Sequence, residues 1–200
     1  IIVNGWNEIE SSEIVGMLNS AKKVACVLSL HPKYKGMELQ VLSDYAWGHY
    51  IGVRHLLELG HRNVLVIPST RILYPRMVAM LKGCRKAFKE FGVDWDLEDR
   101  FISSGNEAED IGKMAGLFTR KERPTAVFAS MDFLAVRACR AAAKAGLKIP
   151  EDLSVVGYFN TPWAEQVDPP MTSVSVKETE IGECVVRELL ASSWTGRRKK

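Results

Sequence analysis

Residues 150–176 read PEDLSVVGYFNTPWAEQVDPPMTSVSV. Pro150, Glu151 and Asp152 are turn chemistry, and the short apolar run from Leu153 to Val156 that follows has no polar alternation. That is the signature of a strand buried on both faces, and Gly157 is expected to end it. A loop and a short polar turn occupy Phe159 to Asp168. Pro169 and Pro170 then forbid helix and lead the chain into a second strand, Thr172 to Val176.

Working outward, the same alternation recurs. Strands are expected at 1–5, 24–29, 40–43, 63–68, 100–103 and 125–129. Amphipathic helices are expected at 8–21, 45–59, 74–91, 107–121, 132–145 and 177–191, the second of them stopped by Gly60 in a C-terminal glycine position. Residues 31–38, with Pro32 and Gly36, read as a loop. Strands alternating with helices of this length imply parallel sheets covered on both faces, an α/β architecture.

Three blocks carry a resemblance. PEDLSVVGYFN and DPPMTSV match a "P-x-D-[LIV]-S-V-V-G-[YF]-D" strand and a "D-P-P-L-T-[ST]-V" crossover; GVRHLLELGHRNVLV (residues 52–66) matches a helix, "LGHR" turn and strand; PTAVFASMD (residues 124–132) matches "PTA-[IV]-F-x-x-N-D". In this order and spacing they resemble the effector-binding core of bacterial LacI/GalR-type transcriptional regulators over about residues 1 to 195. The resemblance implies the type I periplasmic-binding-protein-like fold: two Rossmann-like subdomains joined by crossovers, with ligand held between them. It implies an N-terminal subdomain at 1–60 plus 173–195, a C-terminal subdomain at 61–172, and a basic tail at 196–200. Family members carry two further βα units and a helix-turn-helix head before the position of Ile1, so the N-terminal subdomain is expected to be partial.

Composition bounds the alternatives. Two hundred residues at 46% apolar content can bury a proper core, and a net charge of +3, concentrated in the last four residues, gives no basic face for nucleic acid. Lys82, Arg85, Lys86 and Lys89 share one helix opposite Met77, Leu81, Cys84 and Phe88, the pattern of a solvated stripe. Cys26, Cys84, Cys139 and Cys184 form no CxxC pair and read as free thiols of a reducing cytosol. No apolar run approaches the roughly 18 residues of a membrane span. His49 and His55 fall on opposite sides of their helix, unsuited to zinc, and His61 belongs to a turn. No nucleophile elbow, zincin or phosphate-loop spacing is present, so neither enzyme nor metal nor cofactor is expected.

By resemblance, the ligand is a small-molecule effector gripped at the carboxyl ends of strands. Carried over residue by residue, the family's clamp arginine falls on Met80, three before Gly83. Its "N-D" pair falls on Met131 and Asp132, its two aspartates after the strand fall on Phe159 and Asn160, and a polar position at a helix start falls near Trp47. Three hydrogen-bonding positions have become Met, Met and Phe, which would leave a polyol's hydroxyls unsatisfied at about 1–3 kcal/mol each. Arg76, one helical turn before Met80, is the substitute charge. Two readings stand: an aromatic, sulfur-lined site for a sugar-like, anionic or aromatic metabolite, binding plain neutral hexoses poorly, or methionines that simply fill core and an arginine in solvent, in a cleft that has stopped sensing. The resemblance also implies a homodimer through the helix from Asp132, by Leu134, Val136, Cys139 and Arg140, or else those apolar residues pack on their own sheet. Operator DNA is expected to be bound by a head outside these residues. The alternative is an extracytoplasmic solute-binding protein of a transporter.

Overall fold

The computed structural model describes residues 2–4, 25–27, 39–41, 43–68, 74–95, 101 and 103–191. The expected helix at 8–21, the loop at 31–38, half of the strand at 100–103 and the tail at 196–200 lie outside them. The chain divides into two compact units, 1–43 with 177–200, and 44–176.

In the smaller unit three short strands, β1 (Ile2–Asn4), β2 (Ala25–Val27) and β3 (Leu39–Val41), pair in parallel in that order. The last helix of the chain belongs to the same unit, and its Val185 is buried against Val41, Ile181 and Leu189.

The larger unit is built on four parallel strands in sequence order: β4 (Val64–Ile67), β5 (Ala126–Ala129), β6 (Ser154–Phe159) and β7 (Thr172–Ser175). β4 and β5 are buried along their whole length, as continuous apolar runs require when both faces are covered. One face carries α3 (Glu107–Phe118) and α4 (Asp132–Lys144). There Leu65, Ile67, Val127, Ala129 and Val155 meet Met114, Phe118, Leu134 and Ala138 in one core.

The other face carries α1 (Tyr45–Glu58) and α2 (Tyr74–Glu90). Glycine sets these distances. A Cβ on Gly48 would run into the Tyr158 ring and one on Gly52 into Phe128, so α1 lies directly on β5 and β6. A Cβ on Gly83 would overlap the Ala46 carbonyl, so α2 lies directly on α1. The sequence expectation divided the chain after residues 60 and 172; this packing holds α1 within the unit 44–176.

Helix ends follow the local chemistry. Asp44 caps α1 by accepting from the Trp47 N–H at 2.9 Å, and Asn106 caps α3 by accepting from the Glu109 N–H at 3.1 Å. Gly60 takes φ 94° just past α1, with the His61 N–H bonded back to the Leu56 carbonyl, the expected glycine stop. α5 (Glu178–Leu190) follows Lys177 in the left-handed region at φ 58°.

β6 departs from expectation, because it runs through Gly157 to Phe159. β7 pairs with Val156 to Phe159 and carries the strand onward. Gly157 is small for another reason: a Cβ there would strike the carboxylate of Asp132.

Candidate functional site

The carboxyl ends of β5 and β6, and the first turns of α1 and α4, meet at one end of the larger unit. β5 delivers Met131 and Asp132, and β6 delivers Phe159 and Asn160. The start of α1 is tied to the same place by Tyr45 and His49, whose rings lie 6.5 Å and 4.4 Å from the Tyr158 ring.

The expected site residues are distributed as follows. Asp132 is 1% exposed, at the first position of α4. Its Oδ1 accepts from the Ser173 hydroxyl at 2.6 Å, and its Oδ2 accepts from the Thr161 N–H at 2.6 Å and the Thr161 hydroxyl at 2.8 Å. Phe159 is 6% exposed, edge-on to Tyr158 with centroids 4.8 Å apart. Asn160 is exposed and its N–H donates to the Ser173 hydroxyl at 3.0 Å. Phe159 and Asn160 are consecutive left-handed residues, at φ 98° and 53°.

Met131 is half-buried and packs onto the core shared with α3 and α4. Met80 is 2% exposed within α2, on the other side of the sheet. The two methionines therefore sit in different packing layers. Trp47 is 53% exposed, 5.1 Å from the Tyr50 ring, with the Lys86 ammonium 6.0 Å from its own ring and 4.4 Å from that of Tyr50. Tyr50 donates to Glu90 at 2.8 Å, so this cluster is an aromatic and cationic corner on α1 and α2. Arg76 belongs to the first turn of α2; its side chain lies outside the described residues.

On α4, Leu134 and Val136 are both buried within the chain; Leu134 packs into the core shared with the sheet, while Val136, two positions on, points to another side of the helix. Arg140 is exposed and paired with Glu107 of α3. Cys139 is half-buried against the core, and burial pushes its thiol up to about 11. It lines a cavity of about 270 Å³ around the start of β6 with His55, Leu59, Pro150, Asp168 and Met171. Among the described residues, none of the expected ligand residues lines this cavity.

Two buried polar groups had no sequence signal. Asp110, buried on α3, accepts from the Ser103 hydroxyl at 2.6 Å, the Ser104 N–H at 2.8 Å and Arg137 of α4 at 2.7 Å. Burial alone would raise its carboxyl, but these donors outweigh it and hold the group below the usual range. His49 is buried between Phe128 and Tyr158 with Nδ1 2.9 Å from the Tyr45 carbonyl and Nε2 unpartnered. Desolvation, opposed by the bond to Tyr45, pushes its imidazole down to about 3. Ser173 and Thr161 were also missed, although Ser173 stands inside the DPPMTSV stretch.

Among the described residues no group of three or more His, Cys, Asp or Glu is placed to hold a metal, and no helix is long and apolar enough to cross a membrane.

Comparison with known proteins follows the same lines. Residues 53–200 match the family model of the periplasmic binding protein-like domain. The chain is 38% identical over 185 residues to the HTH-type transcriptional regulator DegA of Bacillus subtilis, an alignment covering 91% of this chain and 53% of DegA. Among solved structures, a regulatory protein of the LacI family from Chloroflexus aggregans superposes with a TM-score of 0.80 at 20% identity, covering 99% of this chain and 70% of that one. The transcriptional regulator CelR in complex with cellobiose superposes at 0.74 with 26% identity, covering 97% and 66%. The chain belongs to the periplasmic binding protein-like domain family. It spans about half the length of DegA, and these relatives are regulators rather than transport proteins or enzymes.

Proposed function

We propose that the chain is the ligand-sensing and dimerisation domain of a cytoplasmic transcriptional regulator, coupling a small-molecule effector to operator DNA bound by a helix-turn-helix head outside these residues. A ligand shifts such a regulator only by its differential affinity for two arrangements of the protein. The observation that carries the reading is the convergence of the ends of β5 and β6 and the starts of α1 and α4 on Phe159 and Asn160. Open α/β sheets take their ligands at the carboxyl ends of strands.

The effector is an anionic or aromatic metabolite, met by Trp47, Phe159 and Asn160 with Arg76 as the charged group; Met80, buried within α2, and Met131, packed on the core of the other face, do not line one space with them. CelR holds cellobiose, yet the groups that replace the family's polar residues here would satisfy few sugar hydroxyls. Homodimerisation belongs to the same reading, through the outward side of α4.

A thermal-shift series with cellobiose, adenosine and 4-hydroxybenzoate tests the ligand class, since a ligand of the folded state raises the melting temperature. The expected result is a rise with the aromatic or anionic probe that Arg76→Ala removes. Tight binding of cellobiose, undiminished by Arg76→Ala, would overturn the assignment.

A further inference from the structure

Phe159 and Asn160 present a conformational problem. Left-handed backbone is rare outside glycine; asparagine tolerates it, whereas a bulky aromatic at φ 98° is an outlier. Each such residue costs on the order of 1–3 kcal/mol and persists only where its surroundings over-determine it. The surroundings here are specific. The Ser173 hydroxyl accepts from the Asn160 N–H and donates to Asp132, and the same carboxylate accepts twice from Thr161. Two residues before Phe159, Gly157 leaves the space that this carboxylate occupies. The turn is thus fixed at the Asn160 and Thr161 N–H groups, by one hydroxyl and one carboxylate that are bonded to each other.

We propose that Ser173 and Asp132 are positioning residues of the strand-end site: with Thr161 they hold the Phe159–Asn160 turn in its left-handed form. Asp132 then acts through the turn, not on a ligand, because its buried oxygens are already taken up by Ser173 and Thr161. Ser173 stands on β7, and the chain passes from the larger unit to the smaller between Val176 and Lys177. The position of the crossover strand and the shape of the turn are therefore linked through one hydroxyl. The functional meaning rests on the strand-end reading above; the hold on the turn does not.

Amide hydrogen exchange on the whole chain tests it without any ligand. Ser173→Ala is expected to speed exchange at the Asn160 and Thr161 amides at least tenfold while leaving Val127 and Phe128 of β5 unchanged. Ser173→Thr, which keeps the hydroxyl, is expected to restore the protection. Unchanged exchange at Asn160 in Ser173→Ala, or equal acceleration in Ser173→Thr, overturns the positioning role. Should Ser173→Ala unfold the chain, Asp132→Asn supplies the same readout at Thr161, with loss of protection supporting the role and retention overturning it. Failure of the thermal-shift probes to bind would count against the strand-end reading alone, because the exchange result decides this proposal by itself.

Discussion

His61 and Ser154 are joined across 93 positions of sequence: the ring Nε2 lies 3.0 Å from the Ser154 hydroxyl. The other ring nitrogen is 3.0 Å from the Thr125 hydroxyl. One side chain in the turn after α1 therefore ties the starts of β5 and β6 together, beneath the sheet and far from the strand-end site. Removing it leaves two hydroxyls without that partner. His61→Ala is expected to lower the unfolding free energy by about 1–3 kcal/mol, read by urea denaturation, with ligand binding unaffected once folded.

His49 sets an acid limit. Its folded imidazole titrates at about 3, against an ordinary 6.5. Between those values the unfolded chain binds a proton that the folded chain does not, so stability is full above pH 6.5 and falls as the pH drops. The slope is about 1.4 kcal/mol per pH unit, or about 2 kcal/mol between pH 6.5 and 5. Burial lowers the His61 imidazole as well, in the same direction. His49→Phe is expected to remove most of the slope while keeping the stability at pH 7, since it also removes an unpartnered buried Nε2. Denaturation midpoints from pH 5 to 7 check this; parallel curves for the two proteins would refute it.

Asp110 and Arg137 join α3 to α4 beside the main core. Breaking a buried pair by removing one partner typically costs about 3–5 kcal/mol, because the other charge is stranded. Asp110→Ala should cost that much by chemical denaturation. The double variant Asp110→Ala with Arg137→Met should recover part of it, and strict additivity of the two changes would rule out the coupling.

The sequence carries its local and apolar information well. Continuous apolar strands, the Gly60 stop and the three quoted blocks all mark features that a few adjacent residues determine by themselves. Long-range polar pairing leaves no such trace. Nothing near Asp110 points to Arg137, and nothing near Asp132 points to Ser173 or Thr161. Gly157 read as a strand end because glycine commonly is one, whereas its smallness answers to a carboxylate arriving from another element. The same limit applies to α4: periodicity puts Leu134 and Val136, two positions apart, on different sides of the helix but does not say which neighbour covers either.

That last point changes how dimerisation is tested. Val136 is buried within the chain, so a charge placed there would report on folding. Arg140 is an outward group of α4, exposed and paired with Glu107 on α3. In a two-fold contact each residue of the patch meets the same patch on its mate, so a changed charge counts twice. Arg140→Glu sets a carboxylate beside Glu107 in each copy and creates repulsion both within and across the contact. Its effect on the folded monomer is expected to be small, since exposed ion pairs contribute little. Sedimentation velocity should then show the variant as a monomer, with an unfolding midpoint near that of the parent, while the parent sediments as a dimer. A variant that stays dimeric would remove this side of α4 from the interface, and a parent that is monomeric at micromolar concentration would remove the dimer.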